Sequence, residues 1–207
     1  MKNRPTRTAR TAAGRRRDFP FHPLSVAICL GFSGAALAAP QGATVVAGQA
    51  TITQQTPTSQ VVNQTTNKAI IDWKSFSIAS GEKVRFNQPS NTSVTLNRVT
   101  GYDPSYILGE MSSNGRIFLV NPHGVVFGAN ARVDVGGLVA SSLSLADSDF
   151  LAGRYSLTSV EPGAPAQRGE VRNEGTISAP GGMVALVGPS VSNTGSITAN
   201  GGRVGMA

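Results

Sequence analysis

The sequence predicts an all-β solenoid, a coil of short strands, and three observations carry that reading. The first is repetition. Val171, Asn173, Gly175, Ile177, Ala179, Gly181, Gly182, Val184 and Leu186 are answered twenty residues later by Val191, Asn193, Gly195, Ile197, Ala199, Gly201, Gly202, Val204 and Met206. A fixed period this short, with strand chemistry inside it, marks stacked repeats none of which can bury its apolar face alone. The second is period-two alternation in short pieces separated by Gly, Asn and Pro. The third is the lack of a convincing capped amphipathic helix.

The chain opens on charge. Seven of its 18 basic residues and one of its 11 acidic residues fall in the first 23, so the apparent net charge of +7 belongs to the start and the remainder is nearly neutral. Leu24 to Leu37 is apolar and small, and Ala36, Leu37 and Ala38 precede Ala39 and Pro40. A basic segment, an apolar run of this length and an A-x-A site read as a secretory signal over residues 1–38, cut after Ala38 by signal peptidase. A cut after Ala39 would set Pro40 beside the scissile bond. The run is short of the roughly 20 residues of a membrane span and holds Gly31, Ser33 and Gly34. Arg16, Arg17 and Phe19 are similar to a twin-arginine signal, but Pro20 and Pro23 interrupt the segment after them, which favours the unfolded Sec route. The single cysteine, Cys29, lies inside the apolar run, so no disulfide can lock the exported chain.

Thr44 to Thr53, with Val45, Val46, Ala50 and Ile52, reads as an N-terminal cap over the first open edge. Beyond it, Phe76 and Ile78, Val84 and Phe86, and Val94 and Leu96 each share a face, which is read as core. Asp103 to Met111 is the best helix candidate, one or two turns with Ile107, Leu108 and Met111 on one side. In Gly115 to Gly137, Ile117 and Leu119 point one way and Phe118 and Val120 the other. A strand apolar on both faces is covered on both, so a local hairpin or a partner is expected over the outside. Asp147 and Asp149 read as a solvated loop ahead of Phe150. Pro162 to Arg168 reads as a loop bulging from a corner, dividing residues 39–160 from the regular repeats of 161–207. The stack is expected to hold about eight rungs and to be near 40 Å long at about 4.8 Å per rung. No matching cap comes after Met206, which reads either as a frayed edge or as the front of a longer stack. Asn173 and Asn193 are expected to form an asparagine ladder.

Five stretches resemble one family, the secretion domain of filamentous-haemagglutinin-like exoproteins of two-partner secretion. They are Asn63-Gln-Thr-Thr-Asn-Lys-Ala-Ile-Ile-Asp-Trp-Lys-Ser-Phe76, Val84-Arg-Phe-Asn-Gln-Pro-Ser90, Leu96-Asn-Arg-Val-Thr-Gly101, Asn121-Pro-His-Gly-Val-Val-Phe-Gly128 and Gly137-Leu-Val-Ala-Ser141. The resemblance implies a right-handed parallel β-helix that directs a large adhesin or haemagglutinin-like protein to a partner barrel in the outer membrane of a Gram-negative bacterium. The barrel's periplasmic POTRA domains are the expected point of contact, and folding is expected to nucleate outside the cell, leaving the product secreted or on the cell surface. The family's Asn-Pro-Asn-Gly turn stands here as Asn121, Pro122, His123 and Gly124. Its Asn-Pro-Asn-Leu element is missing, and its region holds the run containing Asn97 and Arg98. These six residues are the candidates for partner recognition or for the folding turn. The turn can also be read without the family: Asn bonds its own backbone two residues on, Pro presets φ, and Gly tolerates positive φ.

Catalytic chemistry finds little support. After the signal there is one histidine, His123, and no cysteine, too few groups for a nucleophile with its base or for zinc. No cofactor, metal, nucleic-acid partner or small-molecule substrate is expected. A β-helix polysaccharide lyase or hydrolase is the alternative from another class. Its carboxylates would have to converge, whereas Asp72, Glu82, Asp103, Glu110 and Asp134 are scattered among turns. The N-terminal part of a contact-dependent toxin-delivery protein is a further alternative.

Overall fold

The computed structural model describes residues 39–159 and 168–207. The signal segment with Ala36 and Ala38 lies outside the described residues, as do 162–167 of the corner loop. Ala39 is buried, and the Pro40 carbonyl accepts a bond from Gln60 Nε2 at 3.1 Å.

Strands succeed one another around a coil. The cap is β1 (Thr44–Ala47) and β2 (Ala50–Thr56), which pair antiparallel with β4 and β3 of the first coil, β3 (Ser59–Gln64) and β4 (Lys68–Trp73). The second coil holds β5 (Lys83–Asn87) and β6 (Val94–Val99). The third holds β7 (Ser105–Ile107), β8 (Glu110–Ser113) and β9 (Arg116–Val120), and the fourth β10 (Val125–Phe127), β11 (Arg132–Asp134) and β12 (Gly137–Ser141). A strap then leaves the coil: β13 (Ser144–Leu145), α1 (Asp147–Ala152) and β14 (Leu157–Thr158), its two strands antiparallel. The fifth coil is β15 (Val171–Asn173), β16 (Thr176–Ser178) and β17 (Met183–Val187). The sixth is β18 (Val191–Asn193), β19 (Ser196–Thr198) and β20 (Arg203–Met206).

Three parallel sheets result, with orders β4-β6-β9-β12-β17-β20, β3-β5-β8-β11-β16-β19 and β7-β10-β15-β18. The fold is thus the expected parallel solenoid with an N-terminal cap and a small extra-helical hairpin. Val171 pairs with Val191 and Ile177 with Ile197, so the twenty-residue period is the stacking register. Between the sheets lies a continuous core containing Ile71, Trp73, Phe76, Phe86, Leu119, Phe127 and Leu186. Trp73 meets Phe76 edge-on at 5.4 Å.

Four expectations are corrected. Among the described residues there are six rungs rather than about eight, about 24 Å of rise. Lys68 pairs with Val94, Val94 with Arg116 and Arg116 with Gly137, so the early coils exceed twenty residues, and Leu138 pairs with Val184 across the strap. Asp103–Met111 is not a helix. Ser105–Ile107 and Glu110–Ser113 are recruited as strands by β10 and by β5 and β11, because long-range pairing overrides a weak local preference. Asp147 and Asp149, expected on a loop ahead of Phe150, instead open the helix Asp147–Ala152. It ends on Gly153 at φ 78°, with Gly153 and Arg154 N–H groups donating to Phe150 and Asp149 carbonyls. Lastly, Val94 and Leu96 face outward, into a second apolar cluster with Ile70, Phe118, Val120, Val139, Leu145 and Phe150. The inward positions of β6 are Thr95 and Asn97, both fully buried. Their polarity is satisfied inside: Thr95 bonds Gln64 and Gln88, and Asn97 bonds Trp73.

Candidate functional site

At the end of β9 the chain turns through Asn121, Pro122, His123 and Gly124. Asn121 Oδ1 accepts the His123 N–H at 2.9 Å, and the Asn121 carbonyl accepts the Gly124 N–H at 2.9 Å. Gly124 sits at φ 111°, where a Cβ would also come within 2.8 Å of the Glu170 carbonyl. Asn121 is fully buried and acts in three directions. Its Nδ2 reaches back to the Asp103 carbonyl and Ser105 Oγ, both at 3.0 Å, and its N–H reaches forward to the Ser141 carbonyl at 2.9 Å. The Pro122 carbonyl accepts from the Gly169 N–H at 2.9 Å, where the chain rejoins the coil after the strap. Pro122 and His123 are half-buried. The His123 ring lies 5.9 Å from that of Tyr102, which is 87% exposed, and its Nδ1 is buried without a hydrogen-bond partner among the described residues.

Asn97 and Arg98 adjoin this corner but point to opposite sides of β6. Asn97 accepts the Trp73 Nε1–H at 3.0 Å and donates to the Phe118 carbonyl at 3.3 Å, so in the folded coil it offers nothing to a partner. Arg98 pairs in register with Val120, one residue before Asn121. Its guanidinium bridges Asp72 at 2.9 Å and Asp147 of α1 at 2.6 Å. Burial opposes its charge, but hydrogen bonds and the fields of Asp72 and Asp147 outweigh it, holding the guanidinium above its ordinary value.

The strap is the feature that motif reading missed. Phe150 is fully buried, 5.8 Å from the Phe118 ring, and Tyr155 lies 4.7 Å from Phe118. These rings cover the outer face of the strand whose two apolar sides called for a cover, so the cover is local. No basic residue occupies the last turn of α1. Lys68, on β4, supplies the charge instead, donating to the Leu151 carbonyl at 2.7 Å and the Phe150 carbonyl at 3.3 Å. Arg168 ties the strap's ends, donating to the carbonyls of Ser142 at 2.7 Å and Ser159 at 2.9 Å. Nothing local in the sequence names these partners, since Lys68 and Leu151 are 83 residues apart.

The remaining candidates lie apart from the corner. Asn173 Nδ2 donates to Asn193 Oδ1 at 2.7 Å, one rung to the next. The scattered carboxylates stay scattered: Asp72 is held by Arg98, Glu110 by Lys83 at 2.9 Å, and Glu82 Oε2 accepts the Ala79 N–H at 2.9 Å. Among the described residues no group of three or more His, Cys, Asp or Glu could hold a metal.

Residues 36–207 match the family model described as the TPS secretion domain. The chain is 35% identical over 203 residues to a heme/hemopexin-binding protein of Haemophilus influenzae, covering 90% of this chain and 21% of that protein. A second Haemophilus influenzae heme/hemopexin-binding protein is 37% identical over 131 residues, 61% of this chain and 14% of its own. Among solved structures, the HMW1 secretion domain from Haemophilus influenzae superposes with a TM-score of 0.75 at 35% identity, covering 81% of this chain and 44% of that one. The chain thus spans about a fifth or less of the curated relatives it matches.

Proposed function

Starting from a chain that belongs to the TPS secretion domain family, and so is the secretion-directing domain of an exported protein with a cognate outer-membrane transporter, we propose that the Asn121–Gly124 turn is what that transporter reads. The carrying observation is that the turn's two defining hydrogen bonds, Asn121 Oδ1 to His123 N–H and Asn121 carbonyl to Gly124 N–H, both lie within four residues. Such a turn forms in a chain that has not yet coiled, so an extended exported chain can display it while the rest stays threadable. The transporter's POTRA domains receive it after Sec export and removal of residues 1–38 between Ala38 and Ala39. Arg98, adjoining the turn in the coil, acts later, when the strap docks. Outside the cell each coil of twenty residues contributes roughly 1 to 3 kcal/mol on folding, which biases the chain outward where no nucleotide energy is available.

The whole protein is proposed to be a large exoprotein acting at or beyond the cell surface, with its effector role in other segments. Heme or hemopexin capture is the role suggested by the names of the relatives.

The test compares Pro122→Ala and His123→Ala for thermal stability of the purified chain and for export by a co-expressed two-partner transporter. The expected result is a folded chain whose export falls about tenfold or more, a difference of about 1.4 kcal/mol in recognition. Export of both variants at the wild-type level overturns the reading and leaves the turn a purely structural corner.

A further inference from the structure

Beside the strap, the described residues of the outer face of the β9-β12-β17-β20 sheet form a furrow of about 460 Å³. Its floor is open at Gly137, which carries no side chain and stands in register between Arg116 and Met183. Its accessible walls are apolar, Met183 47% and Tyr155 38% exposed, with the buried Phe118 and Val139 lining it where it meets the strap. At its two ends stand Arg116 and Arg203, both exposed. Among the described residues, the ion pairs all lie elsewhere, so neither guanidinium is neutralised.

The spacing of the two charges is set by the register. Arg116 pairs with Gly137, Leu138 with Val184 and Met183 with Arg203. The arginines therefore stand three rungs apart along the coil axis, about 14 Å at 4.8 Å per rung. An extended peptide rises about 3.4 Å per residue and shows alternate side chains to one face, so side chains four residues apart on that face also span about 14 Å.

We propose that this furrow is a docking site for an extended acidic peptide of the pattern acid-x-apolar-x-acid. The two carboxylates meet Arg116 and Arg203, and the central apolar side chain lies over Gly137 against Tyr155 and Met183. Charge selects the ends of the ligand and the apolar walls select its middle. Since these side chains face outward, a further rung stacked on β20 lengthens the furrow without filling it. The proposal is independent of the export reading, because the furrow shares no residue with the Asn121 turn.

The experiment measures binding of a fluorescein-labelled synthetic peptide, Gly-Glu-Ser-Leu-Ser-Glu-Gly, to the purified chain by fluorescence anisotropy. Controls are a scramble with adjacent glutamates and vesicles of phosphatidylglycerol. The expected results are saturable binding of the patterned peptide, about threefold weakening in Arg116→Gln and in Arg203→Gln, and about tenfold in the double variant. Both side chains are exposed, so circular dichroism and melting of the variants should match wild type. Gly137→Leu, which raises the floor where a Cβ first meets the flexible Arg116 side chain at 3.3 Å, should abolish binding while the coil stays folded. The proposal is overturned if the patterned peptide does not bind, if the scramble binds equally, or if the arginine variants bind like wild type. Arginine-dependent capture of the vesicles would also overturn it, assigning the furrow to a lipid surface.

Discussion

One row of outward-facing residues runs the length of the coil, and its two halves differ. In the first four coils the row is Ile70, Leu96, Phe118 and Val139, all buried beneath the strap; in the fifth it is Ala185, half-buried against the edge of the same cluster, and in the sixth Gly205, exposed. The early coils are individual in length, polar at chosen inward positions and covered outside. The later coils repeat every twenty residues and, among the described residues, the outer cluster reaches only as far as Ala185 of the fifth. A solenoid rung needs only nearest-neighbour pairing to persist, and the later coils show that minimum. Both halves carry side-chain bonds from rung to rung, Trp73 to Asn97 early and Asn173 to Asn193 late; the early coils add a second apolar layer, which suits the segment that must fold first and as a unit.

If the second layer separates the halves, removing its anchor should have the largest effect. Phe150→Ala should lower stability by about 3 to 5 kcal/mol in a denaturant titration, whereas Met183→Ala, on the bare half, should change it by less than about 0.5 kcal/mol. Next come the internal polar bonds. Asn97→Leu leaves the Trp73 indole N–H buried without its acceptor and should cost about 1 to 3 kcal/mol, with a shift in Trp73 fluorescence. Asn173→Leu, in the repeating half, removes the bond to Asn193 and should lower the melting point by the equivalent of about 1 kcal/mol. An unchanged melting point would count against the ladder. The smallest effect is expected at the strap's electrostatic attachment. Lys68→Met should cost about 0.3 to 1 kcal/mol, fading as salt is raised.

The regular half was legible in the sequence because its period is its register: Val171 over Val191 needs no knowledge of anything distant. The cap was legible from an alternating segment ahead of the coils, and a cover was legible from Ile117 to Val120. The identity of the cover was not. A six-residue helix without a side-chain cap gives no local signal, and its attachments, Lys68 and Arg98, lie in strands read long before it. In β6 alternation finds the core face of Val94 and Leu96 but not that this core lies outside the coil. Alternation distinguishes two faces but cannot tell which is inside when both are buried and the inner one is polar and fully bonded. At the candidate site the same division holds. The Asn121 turn was readable because its bonds are internal to it, while the burial of Asn97 depends on Trp73 in the neighbouring strand.

Hydrogen exchange resolved along the purified chain tests most directly whether the covered coils form the stable unit. Slowest exchange is expected in β4, β6, β9 and β12, with β18, β19 and β20 exchanging through openings of lower free energy. Equal protection along all six rungs, or greater protection in the last two, would contradict the account.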